Sequence, residues 1–326
     1  NGVFYAVLNP QSAVYDVGQN IVLMVVASGG VPPYYYQWYN DTTGSPVAIA
    51  GATSSTYSEV ATDLGTFNYY ASVTDSAQKP VSLFSQMGTY IVNPRLTQPT
   101  IQVTNVKLDV GEKTTISSSW SGGTVPYTVE LHASSTSNCN AGSPIVNSFQ
   151  TSSTSASWTE APGSTTYYWV SVTDSATTPV TQVSPAVEVI VNPTLKAPVI
   201  QLSNSTLDQG QITVITATLN GVTSPYTVSL YLGTSTSSGC TGTLLSTSST
   251  SSTSASWTEN PSTTSYYCVK VTDSAQGGAE TNESSAEVIV NPALETPTIS
   301  PSSGTYYLGQ TITLTASVSG GTQPYH

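Results

Sequence analysis

The 326-residue chain is short of charged side chains: they make up 7% of it, and only six are lysine or arginine. Its formal net charge is −12. Because proteins that bind nucleic acid neutralise phosphates with cations, this balance excludes nucleic acid as a partner. Attachment to an anionic lipid surface is disfavoured for the same reason. No apolar run approaches the ~20 residues that span a bilayer, so we expect no direct membrane insertion of this segment.

Residues that carry catalysis or bind metals are also scarce. The chain has two histidines, His132 and His326, and a lone histidine among many serines does not make a catalytic triad. Cysteine and histidine are not clustered at zinc-ligand spacing. Calcium takes about six to eight oxygen ligands, and the segments between repeats offer at most Glu295. We therefore predict no enzyme activity, no metal site and no cofactor.

The three cysteines are Cys139, Cys240 and Cys268. The last two fall in one repeat, which makes a Cys240–Cys268 disulfide plausible outside the cell. Cys139 is left without a partner, either as a remnant of the repeat or as one half of an intermolecular bridge.

Three N-x-S/T sequons mark candidate N-glycosylation sites, at Asn40, Asn204 and Asn282. The chain starts with Asn1 and has no initiator methionine, so we read it as a mature or trimmed segment. These features fit an extracellular or cell-surface location.

Short motifs recur along the chain with a period of 99 residues. The motif VTDSA begins at positions 73, 172 and 271, and VNP begins at positions 92, 191 and 290. The motif SSTSASWTE appears at 152 and returns at 251. An SGG-x-x-PY element begins at 28, 121 and 319, with the weaker copy NGVTSPY at 220, and only its first interval is shorter, at 93 residues. A period of this size is that of an immunoglobulin-type sandwich, whereas solenoid repeats run to roughly 20–50 residues.

The repeat divides the chain into four parts. They are predicted at 1–94, 95–193, 194–292 and, as a partial domain with only two strands, 293–326. Two strands cannot bury a sandwich core, so either the same chain continues or another chain donates a strand. Prolines in the segments between repeats predict short, semi-rigid linkers.

Short strands separated by turn residues, without a helical period, predict an all-β fold of tandem immunoglobulin-like β-sandwich domains arranged end to end. In the third repeat we predict strands at 199–203, 212–219, 226–232, 243–247, 253–258, 265–272 and 286–291. The Gly-Gly elements lie between the second and third of these strands and are interpreted as hairpin turns. The aspartates of VTDSA, which are Asp75, Asp174 and Asp273, are interpreted as turn formers.

Aromatic residues give two further predictions. Trp38, Trp158 and Trp257 are expected in the sandwich cores. Four tyrosines form either an adhesive surface patch or the strand neighbours of Trp38: Tyr34, Tyr35, Tyr36 and Tyr39.

The combination of GG-T-x-PY, YYxVxVTDSA and VNP resembles the Ig-like repeats of large archaeal surface proteins. That family includes S-layer-associated proteins, adhesins and extracellular filament proteins. The resemblance implies structural or adhesive work and no catalytic residue. We expect a non-catalytic structural subunit of a filament or surface layer, partnered by copies of itself or other surface proteins and by N-linked glycans. The alternatives are an adhesin stalk and the accessory region of a large secreted enzyme.

Overall fold

The computed structural model describes residues 2–138, 144–220 and 223–326. All regular elements in these ranges are β-strands, and none of the described residues forms a helix that would be long and apolar enough to cross a membrane. Cys139 lies outside the described residues. The chain forms two compact units.

The strands alternate with short turns throughout the chain. In the first half they are β1 (Tyr5–Asn9), β2 (Ser12–Asp16), β3 (Asn20–Ser28), β4 (Tyr35–Asn40), β5 (Val47–Ala48), β6 (Thr56–Val60), β7 (Gly65–Thr74), β8 (Ser82–Phe84), β9 (Gly88–Asn93), β10 (Thr100–Val103), β11 (Lys107–Asp109), β12 (Thr114–Ser119), β13 (Tyr127–Ser134) and β14 (Ile145–Thr151). In the second half they are β15 (Ser155–Glu160), β16 (Thr166–Thr173), β17 (Thr181–Val183), β18 (Val187–Asn192), β19 (Val199–Leu202), β20 (Thr206–Asp208), β21 (Thr213–Thr218), β22 (Tyr226–Gly233), β23 (Thr243–Thr250), β24 (Ser254–Glu259), β25 (Ser265–Thr272), β26 (Thr281–Asn291), β27 (Thr298–Ser300) and β28 (Thr315–Ser317).

The first unit consists of Asn1–Thr104, Thr115–Glu160 and Thr166–Val189. It begins with a complete sandwich, the first sandwich, built from β1 to β9. One sheet has the order β1-β3-β6 and the other the order β2-β9-β7-β4-β5, with β8 beside β7. Along β3 buried and exposed residues alternate, as expected when one face of a strand meets a core. Trp38, in the middle of β4, is fully buried there as predicted.

The second sandwich follows in the same unit. Its smaller sheet has the order β10-β12-β15, and its larger sheet contains β18, β16, β13 and β14 in that order, with β17 beside β16. Val129 and Leu131 of β13 and Val170 and Val172 of β16 are fully buried in its interior. Trp158 is 7% exposed, which agrees with its predicted place in the core.

The second unit consists of Asn105–Thr114, Ala161–Thr165 and Ile190–His326. The third sandwich in it has the sheets β19-β21-β24 and β20-β26-β25-β22-β23. Val228, Leu230 and Val269 are fully buried in its core, and Trp257 packs against that core while partly buried. The segment after Pro292 contributes only β27 and β28, which pair antiparallel.

Two sequence-based expectations about strands need correction. The Gly-Gly elements are not hairpin turns, because β3 and β4 lie in different sheets and the chain between them crosses from one to the other. The same holds for β12 and β13. The short strands β2, β11 and β20 were not predicted, since three to five residues are too few to show a periodicity. Each of them pairs in parallel with the last strand of its repeat.

Candidate functional site

An aspartate ends each of the three short parallel strands, and the parallel register sets it beside the asparagine of VNP. The register partners are Asp16 with Asn93, Asp109 with Asn192 and Asp208 with Asn291. The last strand of each repeat ends at that asparagine, so both polar side chains lie at the end of a sandwich from which the linker leaves. The site is therefore the junction to the next repeat.

A threonine from the next repeat completes the junction. In the first unit Asn93 Nδ2 donates to Thr124 Oγ1 at 3.0 Å, and Thr124 Oγ1 donates to Asp16 Oδ1 at 2.8 Å. The same chain of hydrogen bonds occurs twice in the second unit. It runs from Asn192 through Thr223 to Asp109 at 2.8 and 2.8 Å, and from Asn291 through Thr322 to Asp208 at 3.0 and 2.7 Å.

The threonine is the fourth residue of the SGG-x-x-PY element and of its copy NGVTSPY, and the first repeat has a different residue at this place. Val31 stands at this position in the first repeat, where its backbone N donates to Asp75 Oδ2 at 3.1 Å. In the partial fourth repeat Tyr307 stands where the first three carry the junction aspartate. The backbone N of Tyr307 still donates the local hydrogen bond typical of this turn, to Gln310 Oε1 at 3.2 Å.

A second carboxylate enters each complete junction from the VTDSA turn of the following sandwich. Asp174 Oδ1 accepts from the backbone N of Val180 at 2.9 Å and of Ala176 at 3.3 Å, which is the predicted role in the turn. Its Oδ2 has a different setting, since Asp174 lies within hydrogen-bonding reach of Asp16. Both residues are at least 95% buried, and the Oδ2 atom of each has no hydrogen-bond partner among the described residues.

The pKa of Asp16 is raised to about 7, first by burial and then by the neighbouring carboxyl group of Asp174, although the hydrogen bond from Thr124 opposes this rise. In the second unit burial raises the pKa of Asp109 to about 7 in the same manner, with Asp273 as the neighbour. Within the described ranges no lysine or arginine forms an ion pair with these carboxylates. Two buried acceptors that face each other need a proton or a cation between them.

The linker itself is fastened to the Gly-Gly element of the next sandwich. The backbone N of Gly123 donates to the carbonyl oxygen of Pro94 at 2.6 Å, and Leu96 is 98% buried. Gly122 has a φ of 69°, and a Cβ placed on it would lie 2.1 Å from the carbonyl oxygen of Arg95. This position therefore requires glycine for two reasons, its backbone conformation and its close approach to the linker.

Backbone hydrogen bonds add to the junction at the edge of the short strand. In the first unit the residue after VTDSA, Thr177, donates its backbone N to the carbonyl oxygen of Val14 at 2.7 Å. Gln276 holds the same position in the second unit and donates to the carbonyl oxygen of Lys107 at 2.9 Å. The turn thus extends the short strand of the preceding sandwich by main-chain pairing.

In each large sheet, one register position of the central strands carries a contact between side chains. The kind of contact differs from one sandwich to the next. In the first, Tyr39 is opposite Tyr70 and stacks on it at 5.1 Å. In the second, His132 is opposite Trp169 and stacks on it at 5.5 Å. In the third, Cys268 occupies this position and is bonded to Cys240 at 2.02 Å, in the pairing that the sequence predicts.

His132 does have serine and acidic neighbours. Its Nε2 lies 3.0 Å from Ser171 Oγ and 3.6 Å from Glu130 Oε2. In a Ser-His-acid triad the acid holds one ring nitrogen and the serine the other. Here the serine and the glutamate both face Nε2, while Nδ1 of His132 is buried without a partner among the described residues. The geometry packs two strands together and does not relay a proton to an exposed serine, since Ser171 is 7% exposed.

The four tyrosines of the predicted patch divide between the two faces of the sheet. Tyr34 stacks on Phe4 at 5.8 Å and, like Tyr36, packs against the core of the first sandwich. Tyr35 is 64% exposed, and Tyr39 is half-buried in its stack. A surface role is left to only two of them, and that role stays a prediction.

The three sequons differ in how free their asparagines are. Asn204 is exposed in the turn between β19 and β20. Asn282 is half-buried and donates from Nδ2 to the carbonyl oxygen of Leu195 at 3.2 Å. Asn40 is half-buried and its Oδ1 accepts from the backbone N of Thr42 at 2.9 Å. Asn204 offers the most accessible amide of the three.

No protein-family model matches the chain, and no curated protein matches its sequence. Among solved structures it is similar to a tetra-tandem repeat in the extending region of a large adhesion protein, at 15% identity over 88% of this chain and 74% of that chain, with a TM-score of 0.32. It is also similar to fibronectin(III)-like modules of Clostridium thermocellum CbhA, at 14% identity over 56% and 93% of the two chains, with a TM-score of 0.33.

The strand content and the sheet order make the described chain an all-β protein of tandem Ig-like sandwiches.

The aspartates that end the short strands were missed by sequence reasoning. A signal for them was present, because YDVG, LDVG and LDQG precede the second long strand of the first three repeats. Each reads as a local turn until its partners, which lie more than a hundred residues away, are known.

Proposed function

We propose that the chain is a non-catalytic structural subunit of an extracellular filament or cell-surface layer, of the archaeal type its repeats resemble. The Ig-like sandwiches serve as spacer and assembly surface. The observation that carries this proposal is the asparagine–threonine–aspartate chain of hydrogen bonds, which recurs at three junctions. A flexible string of domains has no need for the same polar contacts at successive junctions, whereas a load-bearing spacer does.

The extracellular location is supported by the Cys240–Cys268 disulfide, because such bonds persist in oxidising surroundings. An extracellular location also predicts that Asn204 carries a glycan. Mass spectrometry of native material before and after glycosidase treatment tests this, and Asn282 serves as the internal control because its amide is already hydrogen-bonded. A glycan on Asn282 with none on Asn204 would contradict the order of accessibility.

Electron microscopy of native material tests the structural role. Regular fibres or a lattice are the expected result, with subunits repeating at a constant spacing. Isolated stalks that carry a terminal head would instead identify an adhesin stalk. A catalytic module in the same gene would identify the accessory region of a secreted enzyme.

For assembly we propose β-strand complementation at 293–326, with a second copy of the chain as the donor. Ile299, Ile312 and Leu314 of this segment are between 47% and 63% exposed, and β27 pairs only with β28 in the described chain. A donated strand would cover these apolar side chains and supply main-chain partners at the same time.

Light scattering after size-exclusion chromatography tests the donated strand. The wild-type chain should self-associate with increasing concentration and resist dissociation in mild detergent. Leu314→Asp should abolish association, whereas Val47→Asp, at a site 64% exposed in the first sandwich, should leave it unchanged. A wild-type chain that stays monomeric at high concentration would contradict this mode of assembly.

A further inference from the structure

The first of the two junctions within the second unit carries more carboxylates than the junction within the first unit. Asp109 and Asp273 correspond to Asp16 and Asp174. Glu280 takes the position of Val180, since the backbone N of Glu280 donates to Asp273 Oδ1 at 2.8 Å just as that of Val180 donates to Asp174 Oδ1 at 2.9 Å. The second junction therefore has a third acidic side chain where the first has an apolar one.

The three carboxylates converge. Oxygen atoms of Asp109, Asp273 and Glu280 all lie within 4.8 Å of one another. Asp109 is fully buried and Asp273 is 5% exposed, and the Oδ2 atom of each has no hydrogen-bond partner among the described residues. Their Oδ1 atoms are already engaged by Thr223 and by backbone N atoms. Glu280 Oε2 accepts from the backbone N of Leu195 at 2.6 Å. Two buried acceptor oxygens of the cluster thus have no donor among the described residues.

The surrounding side chains deepen the negative charge. Glu112 Oε2 accepts from the backbone N of Asp109 at 2.7 Å, at the position where the first repeat has Gln19. In the part of the chain that the structure describes, no lysine or arginine forms an ion pair with any of these groups. Burying several carboxylates together is unfavourable unless a positive charge accompanies them.

We propose that Asp109, Asp273 and Glu280 bind one divalent cation of the calcium type. Carboxylate oxygens are the hard ligands that such an ion takes, and Glu280, which is half-buried, leaves an opening through which water completes the coordination shell. Cys240 and Cys268, the two cysteines of the third repeat, are bonded to each other, so neither offers a thiolate to a softer metal. Asp109 belongs to the second repeat and the other two to the third, and all three lie within the second unit.

Isothermal titration calorimetry of the whole, chelator-treated chain with calcium chloride at a mildly alkaline pH tests the site. One site is expected, with a dissociation constant on the order of 10⁻⁴–10⁻³ M, the range of extracellular calcium modules. Glu280→Val, which copies the first junction, should weaken binding at least tenfold. Val180→Glu, which copies the second junction into the first, should raise the stoichiometry from one towards two.

Thermal unfolding of the wild-type chain keeps the proposal testable should a variant fold poorly. Calcium at about 10 mM should raise the midpoint temperature, and a chelator should reverse the rise, because an ion that binds only the folded state stabilises it by mass action. The proposal is overturned if the wild-type chain gives neither binding heat nor a shift in midpoint, or if Glu280→Val binds calcium as tightly as the wild-type chain.

Discussion

Asp16 and Asp174 place their carboxyl groups side by side, although they belong to successive repeats and are separated by 158 positions in the sequence. Their contact, together with Thr124, turns a chain of similar sandwiches into one with defined junctions. Three of the four repeat markers that are visible in the sequence contribute residues to this contact: VNP, the Gly-Gly element and the VTDSA turn meet at the short strand of the preceding sandwich.

Stability should fall as the pH rises from about 4 to about 7, because folding raises the pKa of Asp16 from its ordinary value of 3.8 to about 7. The contribution of the protonated carboxyl is fully present below 3.8, declines above it, and is lost once the pH exceeds about 7. A shift of roughly three pKa units corresponds to at most about 4 kcal/mol. The groups that face Asp16 are Asp174, Thr124 and Tyr127, and Tyr127 stays neutral in this range because burial raises its pKa above 10.

Denaturant unfolding of the wild-type chain and of Asp16→Asn across this pH range measures the effect. Asparagine keeps an acceptor for Thr124 and offers an N–H to Asp174, so the variant should show a smaller pH dependence and be the more stable of the two at pH 8. An unchanged pH profile in the variant would show that Asp16 does not titrate as described.

Thr124→Val should destabilise the first junction by about 1–3 kcal/mol. The substitution leaves Asn93 Nδ2 without its acceptor and Asp16 Oδ1 without its donor, while the volume changes little. Valine is tolerated at the same position in the first repeat, as Val31. Unfolding free energies from urea titration measure the change, and Thr227→Val, at an exposed position of β22, serves as the control with an expected change near zero. Equal effects of the two substitutions would count against the hydrogen-bond chain.

Gly122→Ala should cost at least about 2 kcal/mol, because alanine is strained at a φ of 69° and its Cβ meets the carbonyl oxygen of Arg95. Gly163 provides the matched control: it is exposed, and a Cβ on it meets nothing within 4 Å. Gly163→Ala should leave the unfolding free energy nearly unchanged. Differential scanning calorimetry of both variants gives the comparison, and a harmless Gly122→Ala would show that the linker does not press against this turn.

Removal of the Cys240–Cys268 disulfide should destabilise the third sandwich by about 3–4 kcal/mol, the loop-closure value for a sequence separation of 28. The double variant Cys240→Ser with Cys268→Ala measures this, since it keeps the half-buried cysteine polar and the buried one small. The first sandwich has no cysteine, so its unfolding transition should not move. Loss of stability in both sandwiches alike would indicate an effect other than loop closure.

By itself the sequence determined the all-β class and the Ig-like repeat, because a 99-residue period and alternating strands are local, repeated patterns. Most strand positions in the third repeat followed from the same patterns; β25 was predicted residue for residue, whereas β26 begins at Thr281, five residues before its predicted start. The pairing of Cys240 with Cys268 needed only that both lie in one repeat.

Only the tertiary structure decided which polar residues meet. In the sequence, Asp16 looks like part of a turn, Thr124 like part of a Gly-Gly element and Asp174 like another turn former. Each of these local interpretations explains the residue without any distant partner. Their contact depends on the parallel pairing of a strand too short to show periodicity, and on the way the linker seats one sandwich on the next. The same reason hid the cluster of Asp109, Asp273 and Glu280, whose members are far apart in sequence and are brought together by the fold.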